Sequence, residues 1–151
     1  MKKSIISMLV LLFLVASVCA NASPDQESKE LVEKAVQIFT EKGKDYALKV
    51  VAASAGPLRK DGGLYVFSFS FDGTGLAHPV NRNLVSQQWD LKDKNGKYII
   101  RDFVQVAKEQ GAGWSEYYWN KPGETKLLLK KTYIMRVPGE DIFVGCGYYE
   151  E

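Results

Sequence analysis

The chain has 151 residues, 46% of them hydrophobic and 25% charged, with 20 basic against 18 acidic side chains and a formal net charge of +2. That is the length and composition of one globular domain and excludes a disordered chain. The near-neutral balance leaves no basic excess for a nucleic-acid backbone, two cysteines are too few for a disulfide framework, and one histidine excludes a histidine-rich metal site.

Lys2 and Lys3 precede a continuous apolar run from Met8 to Ala16, and Ala20-Asn21-Ala22 supplies a small-residue cleavage pattern before Ser23-Pro24. This is the layout of a secretory signal peptide, and the run falls short of the about 20 residues a bilayer crossing needs. The expected product is residues 23–151, in the periplasm or secreted. A retained anchor and lipidation at Cys19 are the alternatives, and Val18 is bulky for the latter. Removal of residues 1–22 takes away Lys2, Lys3 and Cys19, so the product carries no net charge and only Cys146, and forms no internal disulfide.

Leu31, Ala35, Ile38 and Phe39 recur at spacings of three and four, and Tyr46, Ala47, Val50 and Val51 continue the stripe. This predicts helix from Ser23 to about residue 55, either bent or divided at Gly43, which disfavours a helix interior by about 1 kcal/mol. Leu64 to Phe71 alternates strictly, with Tyr65, Phe67, Phe69 and Phe71 on one face. Asp72-Gly73 opens a turn, residues 75–79 form a loop or short strand, and Asn95-Gly96 marks another turn. Tyr98 to Gln110 reads as a short helix. Residues 113–120, 126–137 and 142–149 read as three strands joined by the Pro122-Gly123 and Pro138-Gly139 turns. A long helix, a strand, a short helix and an antiparallel meander make an α+β domain.

Catalytic chemistry finds little support. His78 is the single histidine, no G-x-S-x-G elbow occurs, and Cys146 sits between glycines in an apolar strand, where a buried structural residue is expected. Residues 90–96 lack the first ligand of a calcium loop, and no phosphate-binding glycine motif is present. A non-enzymatic protein without a cofactor is expected.

Small-ligand binding fits better. Tyr65, Trp114, Tyr118 and Tyr133 put polar tips on aromatic bodies, and Lys130, Lys131 and Arg82 are cations near them. Tyrosine hydroxyls beside a cation suit a carboxylate through charge-assisted hydrogen bonds. Parity groups Leu127, Leu129, Lys131, Tyr133 and Met135, so Lys131 is a lysine among core positions that needs a partner or a bound anion, unless it snorkels to the sheet edge. His78 either contacts the ligand or braces a loop.

Seven segments in register carry a resemblance. They are Gly43-Lys44-Asp45-Tyr46-Ala47, Gly63-Leu64-Tyr65-Val66-Phe67, Asp72-Gly73-Thr74-Gly75-Leu76-Ala77-His78-Pro79 and Asp93-Lys94-Asn95-Gly96-Lys97, then the run from Gly111 to Pro122, Lys131-Thr132-Tyr133 and the run from Val144 to Tyr149. Together they resemble the single Cache domain of the second type, an extracytoplasmic relative of the PAS fold. The resemblance implies a long N-terminal helix packed on a curved antiparallel sheet that bears a ligand pocket. It aligns the family's functional positions with Tyr65, with Ala77 to Pro79, with Gly113-Trp114, and with Lys131 and Tyr133. It also implies sensing of small molecules, often short organic acids.

The expected site is therefore Tyr65, His78, Trp114, Tyr118, Lys131 and Tyr133, with a small carboxylate as ligand. Ending two residues after Tyr149, the chain is expected to present that ligand to a membrane receptor or sensor kinase, as a monomer or weak homodimer. The alternative is a protein–protein module that associates through its long helix without a small ligand.

Overall fold

The computed structural model describes residues 22–150. The expected leader therefore lies outside the described residues, apart from Ala22. No helix among the described residues is long and apolar enough to cross a membrane.

The N-terminal helical segment is two helices, α1 (Pro24–Lys42) and α2 (Lys44–Ala52). Ser23 caps α1 by accepting from the Gln26 amide at 3.3 Å, with Pro24 in the first turn. Gly43 divides the pair at φ 81°, a conformation open to glycine, while its N–H donates to the Phe39 carbonyl. The remaining elements are β1 (Arg59–Lys60), β2 (Leu64–Ser70), β3 (Gly75–Ala77), a 3-10 turn (Arg82–Leu84), α3 (Ile99–Glu109), β4 (Ala112–Asn120), β5 (Leu127–Arg136) and β6 (Ile142–Tyr149). The short strand β1 follows the Gly56-Pro57-Leu58 turn segment and has no alternation to announce it.

Strand order is β1-β2-β6-β5-β4, with β3 pairing β2 off this path, and every pairing is antiparallel. Strands β4, β5 and β6 form the expected meander. The chain then closes on itself by laying β6 against β2, with Phe67 opposite Gly145 and Val66 opposite Cys146.

Each face of this sheet is covered. Leu31, Val32, Ala35 and Phe39 of α1 and Ala47 and Val51 of α2 pack with Val66, Val144 and Cys146. Ile99, Ile100, Phe103, Val104 and Ala107 of α3 pack with Phe67, Phe69, Phe71, Ile134 and Phe143. Because successive side chains of a strand alternate, each covered face draws on alternate residues of the same strand. β2 is therefore buried almost throughout. On β5 the two faces differ: Lys130, Thr132 and Ile134 are buried beneath the α3 side, whereas Lys131, Tyr133 and Met135 are only half-buried.

Candidate functional site

On the α3 side, the sheet and helix leave a cavity of about 30 Å³. Tyr65, Phe67, Phe69, His78, Ile99, Ile100, Phe103, Tyr117, Trp119 and Lys130 line it, together with Leu84 and Leu91 from the loops. One water takes about 10–15 Å³ on this measure, so the space suits a ligand of a few heavy atoms. Phe67, Phe69, Ile99, Ile100 and Phe103 make the interior apolar. The polar groups are those of Tyr65, His78, Tyr117, Trp119 and Lys130, and three of these residues, Tyr65, His78 and Trp119, also line an outer depression with Val80, Asn81, Asn120, Pro122 and Gly123. Shared walls make that depression the mouth of the cavity.

Lys130 is 2% exposed, and its Nζ donates to the Tyr65 hydroxyl at 3.1 Å. The ammonium also lies 4.7 Å from the Tyr65 ring centroid and 5.0 Å from that of Tyr149. Among the described residues no carboxylate pairs with it. Burial opposes its charge, and Tyr117, Tyr65 and Tyr149 outweigh that penalty, so Lys130 titrates above the ordinary lysine range. Two glycines make its position possible. A Cβ at Gly147 would lie 2.3 Å from Thr132 Oγ1 and 3.0 Å from Lys130 Cε, and one at Gly145 would lie 2.6 Å from the Phe67 ring. The Val144-Gly145-Cys146-Gly147 run thus has bulk on the α1 side and none on the cavity side.

His78 is held by its own loop. Its Nδ1 accepts the backbone N–H of Val80 at 3.3 Å and of Asn81 at 2.9 Å. The proton is therefore on Nε2, which is left as a donor. The ring stacks on Phe67 at 5.9 Å and meets Tyr65 edge-on at 5.2 Å. Burial, with the charges of Lys130 and Arg59 behind it, lowers its pKa to about 4, so the imidazole is neutral near pH 7. Deeper in, Tyr117 and Thr132 share a hydrogen bond of 3.2 Å, and burial raises the Tyr117 pKa.

The structure brings together two of the expected site residues, Tyr65 and His78. It places the other four outside the cavity, on β4 and β5 positions of the opposite parity. Trp114 and Tyr133 meet at a tilt of 53° with ring centroids 5.1 Å apart, with Tyr148 edge-on to Trp114 and the Lys29 ammonium 5.8 Å from the Trp114 ring and 5.6 Å from that of Tyr133. Tyr118 lies beneath Lys94, 3.6 Å from ring centroid to Nζ, and its N–H donates to Asp93. Lys131, expected among core positions, instead bridges Glu116 at 3.4 Å and Glu150 at 2.5 Å. The reason is that β5 is covered more deeply on its even-numbered side, so the lysine forced into the interior is Lys130.

Sequence reasoning named Lys130 as a nearby cation but passed it over on parity. It also missed Tyr117 and Trp119 as cavity residues. One signal was present: the glycines at 145 and 147 mark the face of β6 where neighbouring side chains need room, and Lys130 and Phe67 fill that room. Cys146 lies on the other face, buried, with its thiol pushed up to about 11 by desolvation.

Comparison with known proteins agrees with this architecture. The family model described as single Cache domain 2 matches residues 14–151. The sensor histidine kinase MctS of Rhizobium johnstonii is 31% identical over 91 residues, which is 60% of this chain and 19% of the kinase. The methyl-accepting chemotaxis protein McpP of Pseudomonas putida is 29% identical over 119 residues, 78% of this chain and 21% of that protein. The chain thus spans about a fifth of the length of these curated relatives. A solved structure titled as the structural basis for carboxylic acid recognition by a Cache chemosensory domain superposes with a TM-score of 0.75 at 24% identity, covering 84% of this chain and 93% of that one.

Proposed function

The chain belongs to the single Cache domain 2 family, and from that premise we propose that it is an extracytoplasmic sensory domain whose cavity takes the carboxylate of a small organic acid. The observation that carries this reading is Lys130, a charged, buried ammonium with no acidic partner among the described residues, set at the end of an apolar box. A buried charge without a counter-ion is costly, and a bound anion supplies one. Lys130 and the Tyr65 hydroxyl would hold the carboxylate, with His78 Nε2–H as a neutral third donor. Phe67, Phe103 and Ile100 would receive the short apolar tail. The related kinase and chemotaxis receptor, and the neighbour titled for carboxylic acid recognition, support the same class of ligand and an output through a sensor kinase or chemoreceptor. The leader read in residues 1–22 supports export of the domain.

The same groups are poorly suited to acid–base catalysis. Lys130 stays protonated and the free lone pair of His78 is occupied by two amides, so neither serves as a general base.

Isothermal titration of the exported domain with acetate, propionate and butyrate, and with ethylamine as the cationic control, tests the reading. A short acid binds and ethylamine does not. Lys130→Met weakens the acid at least about 100-fold, consistent with the loss of a buried charged hydrogen bond, while the variant keeps its fold because methionine fills a similar volume. No binding by any acid, or equal binding by Lys130→Met, overturns it.

A further inference from the structure

Resting on the carboxylate reading, we infer that Arg59 is a steering residue, which draws the anion to the mouth and hands it on to Lys130 without forming part of the final contact. Arg59 pairs with Tyr65 across β1 and β2, and its guanidinium carbon lies 5.9 Å from the Tyr65 ring. It thus stands against the outer side of a residue whose hydroxyl touches Lys130. It does not line the cavity or its mouth.

Its charge is available. The neighbouring Lys60 is tied to Glu27 at 3.3 Å and to Glu30 at 3.4 Å, whereas no carboxylate among the described residues closes an ion pair with Arg59. Asp61 shares an open cleft with Arg59 but makes no such pair. The Arg59 charge reaches the site: with Lys130 it disfavours the protonated form of His78. The mouth itself is lined by Val80, Asn81, Trp119, Asn120, Pro122 and Gly123 beside Tyr65 and His78, with no acidic residue to cancel the field. Two unpaired cations, one outside and one inside an acid-free opening, form a gradient that an anion follows inward. A positive cleft with low-dielectric walls raises association rates, and salt suppresses the effect.

Line-shape analysis of the Trp119 indole resonance during propionate titration separates the rate constants. In Arg59→Gln, association slows about tenfold at low salt, dissociation is unchanged, and the rate depends less steeply on ionic strength because only the Lys130 charge remains. Arg59→Lys restores both rate and salt dependence, since the mechanism needs charge at that position and not a fork of donors. Faster dissociation with unchanged association makes Arg59 a direct ligand contact and overturns the proposal. Unchanged kinetics, or failure of lysine to restore them, overturns it as well. If the unsubstituted protein takes up neither propionate nor any other short acid, the carboxylate reading itself has failed, an outcome distinct from any of these.

Discussion

Lys130 and His78 sit in one cavity and solve opposite problems. The lysine retains its proton in a buried place among Tyr117, Tyr65 and Tyr149, and the histidine sheds its proton because it is buried, with the Lys130 and Arg59 charges adding to the effect. The consequence for stability has a definite sign. Well above pH 6.5 His78 is neutral in folded and unfolded chains alike, and the fold has its full stability from this group. As pH falls from 6.5 towards about 4, the unfolded chain takes up a proton that the folded chain refuses, so stability declines. The loss amounts to about 3 kcal/mol by pH 4. Asp72 and Asp93, whose hydrogen bonds hold them below the ordinary carboxylate value, titrate beneath this window. Urea denaturation between pH 4 and 7 should show the slope, and His78→Gln should flatten it. An unchanged slope in the variant would assign the effect elsewhere. Protonation also places a hydrogen on Nδ1 facing two amide hydrogens, so acid releases Val80 and Asn81 from the mouth.

At the scale of elements, β6 is the hinge of the design. It joins the meander to β2 and has opposite demands on its two sides. Val144, Cys146 and Tyr148 pack towards α1, and Gly145 and Gly147 leave space for Phe67 and Lys130. Replacing Gly147 by Ala puts a methyl 2.3 Å from Thr132 Oγ1 and 2.6 Å from the Lys131 carbonyl, and the backbone oxygen cannot rotate away. The expected cost is about 1–3 kcal/mol, the usual range for overpacking. Calorimetry reads that loss, and titration reads a parallel loss of acid affinity as the Lys130 stem is displaced. Most elements were legible in sequence because each has a period. The α1 stripe, the β2 alternation and the three C-terminal strands fall within a few residues of their expected spans. The division at Gly43 was left open between a bend and two helices, and the structure has two helices. β1 was not legible, because two residues cannot show a period and their strand character comes from pairing with Leu64 and Tyr65.

The whole molecule is a sheet with two separate cores, and this divides its functions. The α3 side holds the cavity. The α1 side holds Trp114, Tyr133 and Tyr148 under Lys29, a cluster that fastens the long helix to the sheet. Trp114→Ala should therefore lower stability by about 2 kcal/mol, less than a fully buried aromatic costs, and leave acid affinity within about twofold, a shift too small to signal a lost hydrogen bond. Thermal denaturation and titration of the same variant check both halves. A large loss of affinity without loss of stability would return Trp114 to the ligand site.

By itself the sequence determined the α+β class, the order of elements, the family resemblance and the presence of aromatic strands carrying cations. These follow from local period, turn residues and motif spacing, which are properties of neighbours along the chain. Which lysine meets the cavity was decided only by tertiary structure. Lys130 and Lys131 are adjacent and chemically identical, and alternation shows that they point in opposite directions without showing which direction is the interior. That depends on where α1 and α3 dock, on the room left by Gly145 and Gly147, and on the Glu116 and Glu150 carboxylates that hold Lys131 at the surface. The cavity exists because those distant segments converge on one face of the sheet.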